Sequence, residues 1–91
     1  MPVIHLRVVG KVQGVGFRWF VREKAARLGI AGWVRNTPSG DVEVAASGDD
    51  TKLEQLIAAV RRGPEGAHVI DVERVTPSGD ASYPYPFRIE R

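Results

Sequence analysis

Strand-like alternation interrupted twice by helical spacing predicts an α+β fold, with two helices on one face of an antiparallel sheet. Three observations carry this. Apolar residues alternate from Val3 to Val9; they recur every three to four positions from Phe17 to Leu28 and again from Thr51; and glycine- or proline-bearing turns separate the runs.

In the first run Ile4, Leu6 and Val8 share one face, and His5 and Arg7 the other, which predicts a half-buried strand. Gly10 to Gly16 holds three glycines in seven residues and reads as a loop. Phe17, Phe20, Val21, Ala25 and Leu28 then form the apolar stripe of a helix that Gly29 would stop. Gly32 to Thr37 and Asp41 to Ser47 read as two strands of a hairpin, turned by Thr37-Pro38-Ser39-Gly40, with Val42, Val44 and Ala46 inward. Thr51-Lys52-Leu53-Glu54 fits a capping box opening a second helix. Its inner face is Leu53, Leu56, Ile57 and Val60, and Gly63-Pro64 ends it. Val69 to Val75 predicts a fourth strand, Thr76 to Pro86 a turn-rich stretch, and Phe87 to Ile89 a last short strand. The order is βαββαβ plus a terminal strand, the split βαβ, ferredoxin-like arrangement expected as a single domain over 1–91. That fold decides no function by itself.

Composition narrows the choices. The 91 residues are 43% hydrophobic, enough for a modest core. With no cysteine, disulfides, thiolate metal sites and cysteine nucleophiles are excluded. Nothing resembles a signal peptide or a membrane span of about 20 apolar residues, so a cytoplasmic protein without membrane attachment is expected. The net charge of +2 comes from scattered residues, a weak argument for nucleic acid. Ten arginines against three lysines, with one asparagine, suit a thermophile, although genome composition produces the same bias.

The informative stretch is Gly10-Lys11-Val12-Gln13-Gly14-Val15-Gly16-Phe17-Arg18, running from a strand end into a helix start. The first turn of a helix has unpaired N–H groups and a partial positive charge, so a phosphate is doubly favoured there. Gly14 and Gly16 would let backbone approach the ligand, and Arg18 could fork two hydrogen bonds onto phosphoryl oxygens. A tight turn followed by a surface arginine is the plain alternative. The loop lacks the Gly-Lys-Ser/Thr ending of ATP sites and the third glycine of a dinucleotide loop, so no cofactor is implied. Gly14 to Phe20 also looks like the aromatic motif of RNA-recognition domains. In those domains the motif lies on the third strand, and Asp41 to Ser47 has no aromatic residue to stack a base, so RNA is not expected.

Val8 to Arg18 resembles the first motif of the acylphosphatase family at every defining position. Gly32-Trp33-Val34-Arg35-Asn36, followed by Gly40, Val42 and Gly48, resembles its second. Order, separation and βαββαβ pattern agree, so the resemblance spans essentially the whole chain. It implies hydrolysis of acyl phosphates. Arg18 and the loop backbone of Gly14, Val15, Gly16 and Phe17 would hold the phosphoryl group, and Asn36 would position the attacking water. The resemblance puts no weight on Gly16 being glycine.

The residues make chemical sense alone. Asn36 is the single asparagine; it could merely shape the turn before Thr37-Pro38, or its amide could both donate to and accept from a water. No Asp/Glu/His cluster has metal spacing; His5 and His68 lie on different strands and are expected at the surface. Without an acid to protonate an alkoxide, a phosphate ester is a poor substrate, whereas a carboxylate with a pKa of about 4 to 5 leaves unassisted. Such transfer demands positioning and charge stabilisation more than a base. Inorganic phosphate or sulfate is expected to compete, and a monomer suffices. Phe17, Phe20 and Trp33 read as core, Trp19 as core or rim, and Tyr83 and Tyr85 as local packing. Lys11 and Arg35 would border the site as solvated charges. The rival readings are a non-hydrolysing anion sensor, an RNA-binding module, and a detached copy of a domain from larger carbamoyl-transfer proteins.

Overall fold

The computed structural model describes residues 1–77 and 81–90, so Gly79 of the expected turn-rich stretch lies outside the described residues. The elements are β1 (Val3–Lys11), α1 (Phe17–Leu28), β2 (Ala31–Asn36), β3 (Val42–Ser47), α2 (Asp50–Arg62), β4 (His68–Arg74) and β5 (Arg88–Ile89). They form one sheet in the order β4-β1-β3-β2-β5. The β1–β3, β1–β4 and β2–β3 pairs are antiparallel. The expected wholly antiparallel sheet needs one correction, because β5 lies parallel to β2. Leaving β4 at one edge, the chain reaches the free edge of β2 at the other, and enters it running with β2.

Alternation places Ile4, Leu6 and Val8 of β1 on the same side as Val34 of β2 and Val42, Val44 and Ala46 of β3. All are buried in one cluster with Phe17, Val21 and Ala25 of α1 and Leu53, Leu56, Ile57 and Val60 of α2. Both helices therefore cover this face. Fully burying one such valine or leucine contributes about 1.5–3 kcal/mol, so the stripes on α1 and α2 hold the layers together. Gly29 ends α1 in the left-handed region, with its N–H on carbonyls of the last turn, as expected. Gly40 takes φ +95° in the β2–β3 turn, where its N–H donates to the Thr37 carbonyl at 3.2 Å.

The start of α2 differs from expectation. Its N-cap is Asp49, Asp50 stands in the first turn, and no side-chain capping bond forms, so Thr51 opens no capping box. Two aspartates just upstream favour a helix start at least as well as one threonine, and move it earlier.

The opposite face of the sheet is less bare than the alternation suggested. His5, expected at the surface, is buried, and its Nε2 lies 3.0 Å from the Tyr83 hydroxyl. Trp33, expected in the core, is half-buried on this outer face, edge-on to His5 with ring centroids 6.0 Å apart. The two departures have different causes. Trp33 faces outward because its neighbour Val34 faces the core. His5 is covered by Tyr83 from the segment before β5, which is tied to the β2 edge where the Pro84 carbonyl accepts the Gly32 N–H at 2.8 Å. Burial by this strap pushes the His5 imidazole below its ordinary value, with the Glu43 charge opposing.

Candidate active site

Between the end of β1 and the start of α1, the chain turns through Gly14 at φ +77° and Gly16 at φ +75°. A Cβ at either position would meet nothing within 4 Å, so backbone conformation rather than crowding calls for glycine. Gly16 is also the N-cap of α1, and it brings no capping side chain. The first turn carries no acidic residue. Among the described residues, the first helical N–H to find a carbonyl is that of Phe20, on Gly16 at 3.0 Å. The preceding amides are the unpaired donors of a helix start.

A cleft of about 250 Å³ opens at this point, lined by Val12, Gly14, Gly16, Phe17, Arg18, Trp19, Asn36 and Ile89. The structure thus brings Gly14, Gly16, Phe17, Arg18 and Asn36 together around one space. Val15 is apart from them: its side chain packs against the core, leaving only its backbone to serve a ligand. Arg35 turns to the outer face, where its guanidinium lies 5.0 Å from the Trp33 ring centroid and pairs with Glu43 at 2.7 Å. Lys11 is exposed and lines no part of the cleft.

Arg18 is half-buried, and among the described residues no ion pair or hydrogen bond engages its guanidinium. Asn36 closes β2 on the helix-covered side of the sheet. Its Oδ1 is buried and has no hydrogen-bond partner among the described residues. An unpaired buried acceptor costs about 1–3 kcal/mol. A half-turn of the carboxamide would present either its acceptor or its donors to the cleft.

Gln13 is the residue that sequence reasoning passed over. Its Nε2 donates to the Thr37 carbonyl at 2.9 Å and to the Asp41 carbonyl at 2.8 Å. One amide thereby ties the glycine loop to the turn just beyond Asn36. Asp41 is buried and accepts from Arg7 Nε at 2.6 Å, which anchors the other end of the same turn. The available signal was the one uncharged polar side chain in a loop of glycines and valines that is otherwise short of hydrogen-bonding groups.

Among the described residues no group of three His, Cys, Asp or Glu is placed to hold a metal, and no helix is long and apolar enough to cross a membrane.

Fold and cleft together define an α+β protein of the ferredoxin-like kind, with an arginine and free amides gathered at its first helix. The family model for acylphosphatase matches residues 4–89. An acylphosphatase of Koribacter versatilis is 48% identical over 91% of this chain and 74% of its own length. One from Thermococcus kodakarensis is 51% identical over 76% of each. The crystal structure of acylphosphatase from Bacillus subtilis superposes with a TM-score of 0.84 at 34% identity, covering 100% of both chains. The chain belongs to the acylphosphatase family, and the expectation of a hydrolase of that kind holds.

Proposed function

We propose that this chain cleaves the carboxyl–phosphate bond of small acyl phosphates, with Arg18 and the amides of the 14–18 loop holding the phosphoryl group and Asn36 positioning the water. The observation that carries this reading is the buried carboxamide oxygen of Asn36 beside Arg18 in one cleft, both without a partner among the described residues.

The phosphoryl oxygens take the loop N–H groups and the forked guanidinium, which neutralise charge while the α1 dipole adds to the field. Asn36 accepts a hydrogen from the water and aligns its oxygen opposite the leaving carboxylate. As the P–O bond to the acyl group breaks, the water oxygen bonds to phosphorus. Its proton passes to the phosphate product, and the carboxylate departs with the bond electrons. No general acid is required, because a carboxylate is a stable leaving group at neutral pH. Positioning and charge stabilisation supply the rate.

Such a site has no step that calls for a metal, so activity on a simple acyl phosphate is expected to be unchanged in excess EDTA and not raised by Mg²⁺. Asn36→Ala is expected to lower kcat by about 10²-fold with a much smaller change in KM, since water alignment matters only on the way to the transition state. A folded Asn36→Ala protein with near-normal kcat returns Asn36 to a turn-shaping role. In the same reading the chain acts as a monomeric single domain in the cytoplasm, and sedimentation equilibrium tests the oligomeric part.

A further inference from the structure

The cleft has a second lining that a phosphoryl group cannot use. Arg18, Asn36 and the glycine backbone form its polar part, while Val12, Phe17, Trp19 and Ile89 supply an apolar wall. Phe17 and Val12 are core residues that show the cleft only an edge of themselves. Trp19 is different: it is 58% exposed and takes no part in the core cluster. A lone exposed apolar residue needs no explanation. Trp19 is distinguished by what flanks it. It lines the cleft, and it also lines a separate groove of about 180 Å³ along α1, shared with Phe20, Glu23, Lys24 and Arg27. Spacing of three to four residues puts these side chains on one stripe of the helix. Trp19 is the residue common to the cleft and the groove.

We infer that Trp19 and the α1 groove form the subsite for the acyl half of the substrate, so that the chain favours acyl phosphates with an aromatic or bulky apolar acyl group. This rests on the acyl phosphate reading above. A substrate whose phosphoryl group sits on the loop 14–18 projects its carbonyl carbon toward the mouth of the cleft. A phenyl ring there covers the indole, gaining buried area and an aromatic contact, whereas a methyl group reaches little of it. The gain is uniform binding, made before and during reaction, and so it belongs in KM. The stems of Lys24 and Arg27 extend the apolar floor while their charges stay in water.

The test compares benzoyl phosphate with acetyl phosphate in the wild type, Trp19→Ala and Trp19→Phe. Trp19→Ala is expected to raise KM for benzoyl phosphate about tenfold, change that for acetyl phosphate less than twofold, and leave inhibition by inorganic phosphate unaltered. Trp19→Phe is expected to recover most of the loss. An equal effect on both substrates, or none on either, overturns the subsite. A wild type that hydrolyses neither substrate sinks the acyl phosphate reading instead, and a binding measurement then judges the subsite alone. In a Trp33→Phe protein the remaining tryptophan is Trp19. Benzylphosphonate is expected to quench or shift its fluorescence, and methylphosphonate to leave it nearly unchanged. Identical responses to the two phosphonates overturn the proposal whether or not the protein turns over.

Discussion

Helix α1 starts from Gly16 in the left-handed region, with no acid in its first turn, whereas α2 starts from Asp49 with Asp50 immediately inside. Neither N-cap makes a side-chain hydrogen bond. The electrostatic problem at each end is the same, a cluster of unpaired N–H groups carrying a partial positive charge. At α2 the chain answers it with its own carboxylates. At α1 the glycines leave the amides bare, and the nearest charged side chain, Arg18, adds to the positive field rather than cancelling it. If the α1 start holds the anion as proposed, the two helix starts are told apart by which charges the sequence places in the first turn.

The strongest way to break this contrast is to remove Arg18. Arg18→Ala is expected to reduce kcat/KM by about 10³-fold and to weaken inorganic phosphate binding measured by calorimetry, because the forked donors act on both ground and transition states. Arg18→Lys should recover little, since an ammonium cannot offer two parallel donors. Equal phosphate affinity in wild type and Arg18→Ala would place the anion elsewhere, and the contrast between the helix starts would lose its meaning.

A smaller effect sharpens the role of the loop. Gln13→Ala removes the clamp between the glycine loop and the turn after Asn36, and is expected to lower kcat about tenfold while phosphate inhibition changes little. Gln13→Glu should not rescue it, because a carboxylate cannot donate to the Thr37 and Asp41 carbonyls. An unchanged kcat in Gln13→Ala would mean that the turn holds Asn36 unaided.

The reciprocal experiment at α2 should touch stability alone. Asp50→Asn is expected to cost about 0.3–1 kcal/mol in chemical denaturation, less at high salt, with no change in phosphate affinity or kcat. A gain of phosphate binding at α2 in this variant would show that absence of acid is sufficient for a site, without glycines or an arginine.

The smallest expected effect lies on the outer face. The folded-state His5 value is depressed by burial, so the unfolded chain takes up this proton more readily than the folded one. The stability contributed is complete above the ordinary histidine value of about 6.5 and falls as pH drops below it, levelling once the folded form also protonates. His5→Gln should remove that slope from denaturation midpoints between pH 7 and 5, and leave phosphate affinity at pH 7 unchanged. A slope that persists in the variant would assign it to other groups.

How much of this could be read without coordinates depends on the sequence distance over which each feature is made. The apolar periods of β1, α1, β3 and α2 were legible because a local repeat dictates which side faces a core. Likewise Gly29 and Gly40 announced positive φ through the lack of a Cβ, and the loop 10–18 announced a helix start with bare amides. Only the tertiary structure decided what lies across from what. The Gln13 amide reaches Thr37 and Asp41, 24 and 28 residues on, and His5 meets Tyr83 across 78 residues. The parallel edge strand and the buried His5 both depend on where the segment before β5 returns to the sheet. Spacing within a run specifies which way a side chain points relative to its own backbone. Which distant partner awaits it there is set by the burial and hydrogen bonding of the whole chain at once.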